Sequence, residues 1–435
     1  MSNYEAAEGV EARRHAPRLV GNTSEDHRNA ATRNVLLREV RLGAPISRIE
    51  LSKRTGISKP AVTRGVAALI EDGLLVETAL GDAGSSGGRR PRMLELVPSA
   101  AAGLGCMIKV GRLVGGIGGF DGRVERRQAA EFDPLGDPRE AIDKLVEVLG
   151  ELTRDNPPDR PVLAVGMSVP GLVDEIGRVI TIPHMPGWRG LRLASLLEKE
   201  LGLPVFLDNE SHVQAIAEAW FGDALTSRNF VCLEAGAGIS AGIVINGQLW
   251  RGTHSLAGEI GHASVTGDSA RCHCGSRGCW EMAASTTRLL NNVRAASIAG
   301  SDEMPYLDSD LTMERLVAAA DAGDEAALRE IGAHADALAA GICNLIVAYD
   351  PERIILHGES ILLGERLVEM LRARVADRFR QWLDYDAPIS LTQLGTQGAL
   401  TGAVGLALHA AWGFGDPTAE AGGAVLPRPD SRAAE

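Results

Sequence analysis

Residues 257–281 read AGEIGHASVTGDSARCHCGSRGCWE. The stretch offers one imidazole, His262, and three thiolates, Cys272, Cys274 and Cys279. Four such ligands complete a tetrahedral zinc site, and a site with no open position is structural rather than catalytic. Gly275 and Gly278 permit the tight turns that bring three thiolates onto one ion. His273, between two of the ligands, is expected to point away. The competing reading is a set of reactive or disulfide-bonded cysteines. Six cysteines in 435 residues are too sparse for a disulfide scaffold. Cys106, Cys232 and Cys343 lie in the apolar runs GLGCMI, FVCLEA and GICNLIV, and read as small buried hydrophobes.

Outward from this segment, the chain has material for two to four domains at roughly 100–200 residues each. Its 45% apolar and 23% charged residues exclude a largely disordered, collagenous or membrane-spanning protein. No apolar run approaches the roughly 18 residues of a membrane helix, and the opening residues lack the apolar core of a secretory signal. These features read as cytoplasmic. The net charge of −13 would disfavour a nucleic-acid partner. It is unevenly spread, however: residues 29–98 carry 11 basic and 7 acidic side chains, so a small basic head precedes a large acidic body.

In that head, Gly43-Ala44-Pro45 breaks a helical pattern that begins near Ala30. Ser47 and Glu50 have the form of a capping box, with Ile46 and Leu51 as its hydrophobic staple. Ser58 is expected to cap the next helix, with Ile57 and Val62 as a second staple and Pro60 in the first turn. Val62, Val66, Leu69 and Ile70 then form a buried stripe, leaving Lys59, Thr63 and Arg64 on or beside the opposite face. A Gly- and Ser-rich stretch, Arg89, Arg90 and Arg92, and an alternating MLEL segment read as a basic-tipped hairpin. Helix-turn-helix plus basic hairpin is a winged helix. Ser58, Lys59, Thr63 and Arg64 would face DNA base edges in the major groove, and the three wing arginines phosphates or a minor groove. The alternative is a helical hairpin used for dimerisation or packing.

With these residues in view, the chain resembles the ROK family (repressors, open reading frames, kinases), specifically its winged-helix regulators of sugar metabolism. Besides the cysteine segment, the resemblance rests on SVPGLVD (168–174), IPHMPGW (182–188), LDNESHVQAIAEAWFG (207–222), AGAGISAGIVINGQL (235–249) and DPERIILHGES (350–360). It implies a two-lobed, actin-like α/β fold with a sugar in the cleft between lobes, a structural Zn2+, and assembly as a homodimer or dimer of dimers. Carried over by position, the family's sugar ligands fall on Asn209, Glu210, Glu259, His262 and Glu281. Carboxylates and amides suit a ring of hydroxyls, because a ligand without hydroxyls leaves them unpaired. His262 would then bind metal through one ring nitrogen and orient the pocket through the other.

Family kinases place an acid and then Gly-Gly-Thr after their first strand. Here Met107 replaces the acid, and Lys109, Val110 and Gly111 replace the triplet. The second phosphate loop has Ala237 and Ser240 where kinases commonly have Thr and Gly, and Glu210 stands where the catalytic Asp would be. A carboxylate displaced by about 1 Å can cost on the order of 100-fold in rate. The pattern is a binding cleft kept after the phosphate machinery was lost, so no catalytic residue is assigned.

The sequence therefore reads as a flexible tail (1–28), a winged helix-turn-helix domain (29–98), a two-lobed sugar-binding and oligomerisation domain (99–413) and a second tail (414–435). Helical patterns at 137–153, 324–348 and 363–383 are assigned to core and dimer helices. The leading function is a sugar-responsive regulator, a repressor acting on operator DNA, with no membrane partner. The alternatives are an ATP-dependent sugar kinase with an attached head, and a regulator whose effector is a protein or which needs no sugar.

Overall fold

The computed structural model describes residues 24–80, 90–265, 271–298, 311–382 and 384–411. The expected tails therefore lie almost wholly outside the described residues, as do the hairpin tip and Arg89. The first helix among the described residues, α1 (Ser24–Gly43), begins inside the segment assigned to the N-terminal tail.

The head continues with β1 (Ile46–Ser47), α2 (Arg48–Thr55), α3 (Lys59–Glu71), β2 (Leu75–Leu80) and β3 (Arg92–Leu96). Its strands pair antiparallel in the order β1-β3-β2, the sheet of a winged helix. Ser47 caps α2 by accepting from the Glu50 N–H at 3.2 Å, while the Glu50 carboxylate turns to Arg54. Ser58 occupies the cap position of α3 but makes no side-chain cap bond, contrary to expectation. Pro60 there removes one of the two N–H groups such a cap would use. The α3 stripe of Val62, Val66 and Leu69 is buried against Leu36, Leu51 and Leu94.

The body holds two sheets of one topology. In the first lobe β4 (Ala102–Lys109), β5 (Arg112–Gly118) and β6 (Val124–Glu131) run antiparallel. α4 (Pro138–Arg154) leads to β7 (Val162–Val169), and the ribbon β8 (Leu172–Val173) and β9 (Val179–Thr181) precedes α5 (Leu193–Leu201) and β10 (Val205–Asn209). The order is β10-β7-β4-β5-β6, with β7 and β10 parallel to β4.

After α6 (Glu210–Phe221), the second lobe repeats the plan. β11 (Phe230–Ala235), β12 (Ile239–Ile245) and β13 (Gln248–Leu249) are antiparallel. α7 (Trp280–Ala284), α8 (Thr286–Ile298), α9 (Met313–Asp321) and α10 (Glu325–Tyr349) intervene before β14 (Arg353–His357), α11 (Glu365–Phe379) and β15 (Ile389–Leu391). The order β13-β12-β11-β14-β15 puts β14 parallel to β11 and β15 parallel to β14. Residues 102–108 of β4 are all buried, as expected for a strand packed on both faces, whereas β6 alternates as an edge strand with one solvated face.

The last helix among the described residues, α12 (Gly398–Ala411), returns to the first lobe. It lies so close to β7 that a Cβ on Gly166 would sit 2.0 Å from the Ala403 carbonyl oxygen. Its Val404 and Leu408 also join the buried cluster of the head, so head and body share one apolar layer. α10 is long and apolar enough on average to cross a membrane. Here its Ile331, Leu338, Ile342 and Leu345 fill the core of the second lobe.

Candidate functional site

The end of β10 and the start of α6 form the centre of the site. Asn209 caps α6 by accepting from the Ser211 N–H at 2.9 Å, and its Nδ2 donates 3.0 Å across to the Gly171 carbonyl of the first lobe. Ser211 meets Ser240 of the second lobe, hydroxyl to hydroxyl. The first turn of α6 is thus tied to both lobes, with Glu210 beginning it. Burial, with the Glu234 carboxylate beside it, pushes the Glu210 acid up to about 7.

Beneath this turn is a charged network that sequence reasoning missed. Asp208 Oδ1 accepts from His212 Nδ1 at 2.7 Å, and Oδ2 accepts from Arg251 Nε and Nη2 at 3.0 and 2.7 Å. His212 Nε2 reaches the Ala257 carbonyl at 3.2 Å, fixing the segment that leads into Glu259. Burial opposes both charges, yet the partners win: Asp208 is held well below the usual carboxylate range and His212 above the ordinary histidine value. The signal in the sequence was the Asp-His spacing of four across a helix start, which brings both side chains to one face.

The cysteine segment lies next to it. Cys272 Sγ is 3.5 Å from His262 Nδ1, and Cys274 Sγ is 3.6 Å from Cys279 Sγ. All four donor atoms lie within 4.8 Å of one another. A tetrahedral zinc with sulfur ligands at about 2.3 Å needs sulfur atoms about 3.8 Å apart, so these residues fit the metal they were expected to hold. Gly275 and Gly278 have φ of 92° and 73°, values that favour glycine, as the tight-turn reading required. Trp280 anchors the segment: it is fully buried, donates from Nε1 to the Ala337 carbonyl at 2.8 Å, and packs on Gly341 of α10.

His262 turns its other nitrogen, Nε2, to Glu259 Oε2 at 3.9 Å. Burial raises the Glu259 acid above its ordinary value. His273 does not point away. Its Nδ1 is 3.4 Å from Glu281 Oε1, its ring stands edge-on to His262, and its centroid is 6.1 Å from that of His184 in the first lobe. The tight turn at Gly275 folds His273 back along Glu281, a placement that ligand spacing alone does not convey. Cys106, Cys232 and Cys343 are buried in apolar surroundings, as expected.

On the head, Ser58, Lys59, Thr63 and Arg64 are exposed together along the start of α3. Arg90 is exposed, and Arg92 is exposed but paired with Glu77 at 2.7 Å. The partner of Arg92 on the neighbouring strand was not foreseen. Two separate groups of side chains result: a polar cluster around the start of α6 and the cysteine segment in the body, and a basic helix face on the head.

A winged helix joined to a two-lobed, kinase-like body defines a class of bipartite regulators. The chain matches the ROK family over residues 111–410 and a winged helix-turn-helix DNA-binding family over residues 31–76. It belongs to the ROK family. It is 30% identical to the xylose repressor of Bacillus spizizenii over 345 residues, covering 79% of this chain and 86% of that protein. It is 28% identical to the N-acetylglucosamine repressor of Escherichia coli O6:H1, covering 72% of this chain and 77% of that one. Among solved structures it is similar to a ROK family transcriptional regulator described as a homologue of the E. coli MLC protein. The TM-score is 0.75 at 26% identity, covering 90% of this chain and 98% of that one. It also resembles a ROK family glucokinase from Streptomyces griseus solved with glucose and AMPPNP, at a TM-score of 0.62 and 26% identity, covering 71% and 100%.

Proposed function

We propose that the chain is a sugar-responsive transcriptional repressor of carbohydrate genes, with a kinase-like body as its effector domain. The observation that carries this reading is the pairing, in one chain, of exposed basic side chains at the start of α3 with carboxylates and an amide gathered around the start of α6. Likeness to the two sugar-named repressors, along most of their length, supports it. Lys59, Thr63 and Arg64, with Ser58 at their helix start, would read operator DNA, and Arg89, Arg90 and Arg92 would hold its backbone. Asn209, Glu210, Glu259, His262 and Glu281 would bind the sugar hydroxyls. A homodimer or dimer pair would set two heads on successive turns of the duplex. Sugar then changes their spacing, provided it favours one lobe arrangement over the other. These partners belong in the cytoplasm.

Zinc would be held by His262 Nδ1, Cys272, Cys274 and Cys279, where it supplies rigidity to the segment between Glu259 and Glu281. The kinase reading is disfavoured by Met107, Lys109 and Val110 at the first phosphate loop and by the longer Glu210 side chain. Two assays test the proposal together: operator binding with and without sugars, and ATP-dependent phosphorylation of the same sugars. Sugar-dependent operator binding without turnover supports it; turnover without operator binding contradicts it.

A further inference from the structure

Between β11 and β12 lies a glycine-rich turn, residues 236–238, of the kind that attracts anions when its N–H groups face open space. Here two of the donors, those flanking the turn, are already taken. The Gly236 N–H donates to the Gly238 carbonyl at 3.1 Å, and the Ile239 N–H donates to Glu281 Oε2 at 3.2 Å. A protein carboxylate thus sits where a ligand anion would seek a donor.

Glu234 is the second obstacle. Its Oε2 accepts from Gln214 Nε2 at 2.9 Å. Its Oε1 lies 2.7 Å from where a Cβ on Gly236 would stand and 2.5 Å from the equivalent point on Gly358. The carboxylate therefore lies against both glycine turns, so its charge is held beside residues 236–238. Glu359, the next residue, accepts from Thr286 Oγ1 at 2.6 Å, and the Thr286 N–H donates to the Gly236 carbonyl at 2.8 Å. Glu210 is one helical turn before Gln214, close enough for the Glu234 charge to raise its acid. Exposed Lys109 acts on Glu210 in the opposite sense.

We propose that Glu234, with Glu281 and Glu359, makes this end of the cleft exclude anions, so that the effector is an uncharged monosaccharide and neither a sugar phosphate nor a nucleotide is held. The inference rests on the reading that the cleft binds a sugar. An entering phosphate would lose its hydration, meet the carboxylates of Glu234 and Glu359, and displace Glu281 to gain the Ile239 N–H. A neutral hydroxyl instead finds acceptors. Discrimination of this kind works by repulsion from the wrong ligand as much as by attraction to the right one.

Calorimetric titration of the full chain with D-glucose, D-xylose, D-glucose 6-phosphate and MgATP tests it. D-Glucose or D-xylose is expected to bind, with D-glucose 6-phosphate at least about 100-fold weaker and MgATP undetectable at about 1 mM, a threshold on the order of weak ligand binding. Glu234→Gln keeps the shape and removes the charge, so it should narrow the gap between sugar and sugar phosphate to about tenfold, as expected when a repulsive element is removed. Glu359→Gln, read in the same way, serves if the first variant does not fold. Equal or tighter binding of the phosphate, binding of MgATP by the parent, or an unchanged gap in the folded variants overturns the inference. If no sugar binds in either form, the sugar reading falls instead, and the MgATP titration still decides the exclusion.

Discussion

Asp208 is the residue on which the first turn of α6 rests, because one buried carboxylate accepts from both His212 and Arg251. Removing one partner of a buried charged pair leaves the other uncompensated, at a cost of about 3–5 kcal/mol. Asp208→Asn is therefore expected to lower unfolding free energy by about 3 kcal/mol, read by urea denaturation. The pH dependence follows from the directions of the shifts. His212 is raised above 6.5, so its contribution is complete below that pH and is lost as pH rises through its folded value. Asp208 is lowered from 3.8, so its contribution is complete above that value and is lost as pH falls through its folded pKa. Stability from the pair peaks between the two, and Asp208→Asn should flatten the alkaline decline. At the cysteine cluster, Cys272→Ser should abolish a zinc content near one per chain, measured by atomic emission, because a closed site needs all four ligands. A variant that stays fully loaded would remove Cys272 from the set.

Among the elements, α6 links the candidate site to the second lobe and to the head. Asn209 caps it at the site, Glu218 meets His357 and Thr392 of the second lobe, and Trp220 lies beneath the Arg41 guanidinium of α1 at 3.9 Å. Arg41 Nε and Nη1 are buried without a hydrogen-bond partner among the described residues, and the guanidinium lies against the Trp220 and Phe221 rings, a favourable cation–π arrangement. Trp220→Leu should loosen α1 from the body and speed amide exchange at residues 33–43 by about tenfold, as the loss of about 1.4 kcal/mol of local stability would. Unaltered exchange would mean that the stacked pair holds nothing. The helix periods, the staples and the turn glycines of the head were legible because each depends on neighbours a few residues away. The joint was not, since Arg41 and Trp220 are far apart in the sequence and meet only in the assembled fold. For the same reason His273 and Glu234 escaped the sequence: their roles depend on Glu281 and Gly358, which only the assembled lobe brings near. The cysteine cluster was legible because its ligands and its turns share one short segment.

At the scale of the molecule, two sheets of one topology are joined through α6, and a basic head shares an apolar layer with α12. In the proposed function this architecture would give sugar a route to DNA: what moves the lobes would move the layer on which the head sits. Lys59→Ala and Arg64→Ala should each weaken operator binding by about 1–3 kcal/mol while leaving the melting temperature of the body in place. Equal binding by both variants would move the recognition face elsewhere. Coupling between two sites is commonly about 1–3 kcal/mol, so saturating sugar should change operator affinity by roughly five- to 150-fold. The most direct test is a fluorescence-anisotropy titration of the full chain against promoter fragments from its own genomic neighbourhood, with and without the sugar that most raises its melting temperature. The account predicts salt-sensitive binding to at least one fragment and a shift of that size on adding sugar. Brisk ATP-dependent phosphorylation of the same sugar, with every fragment left unbound, would contradict it.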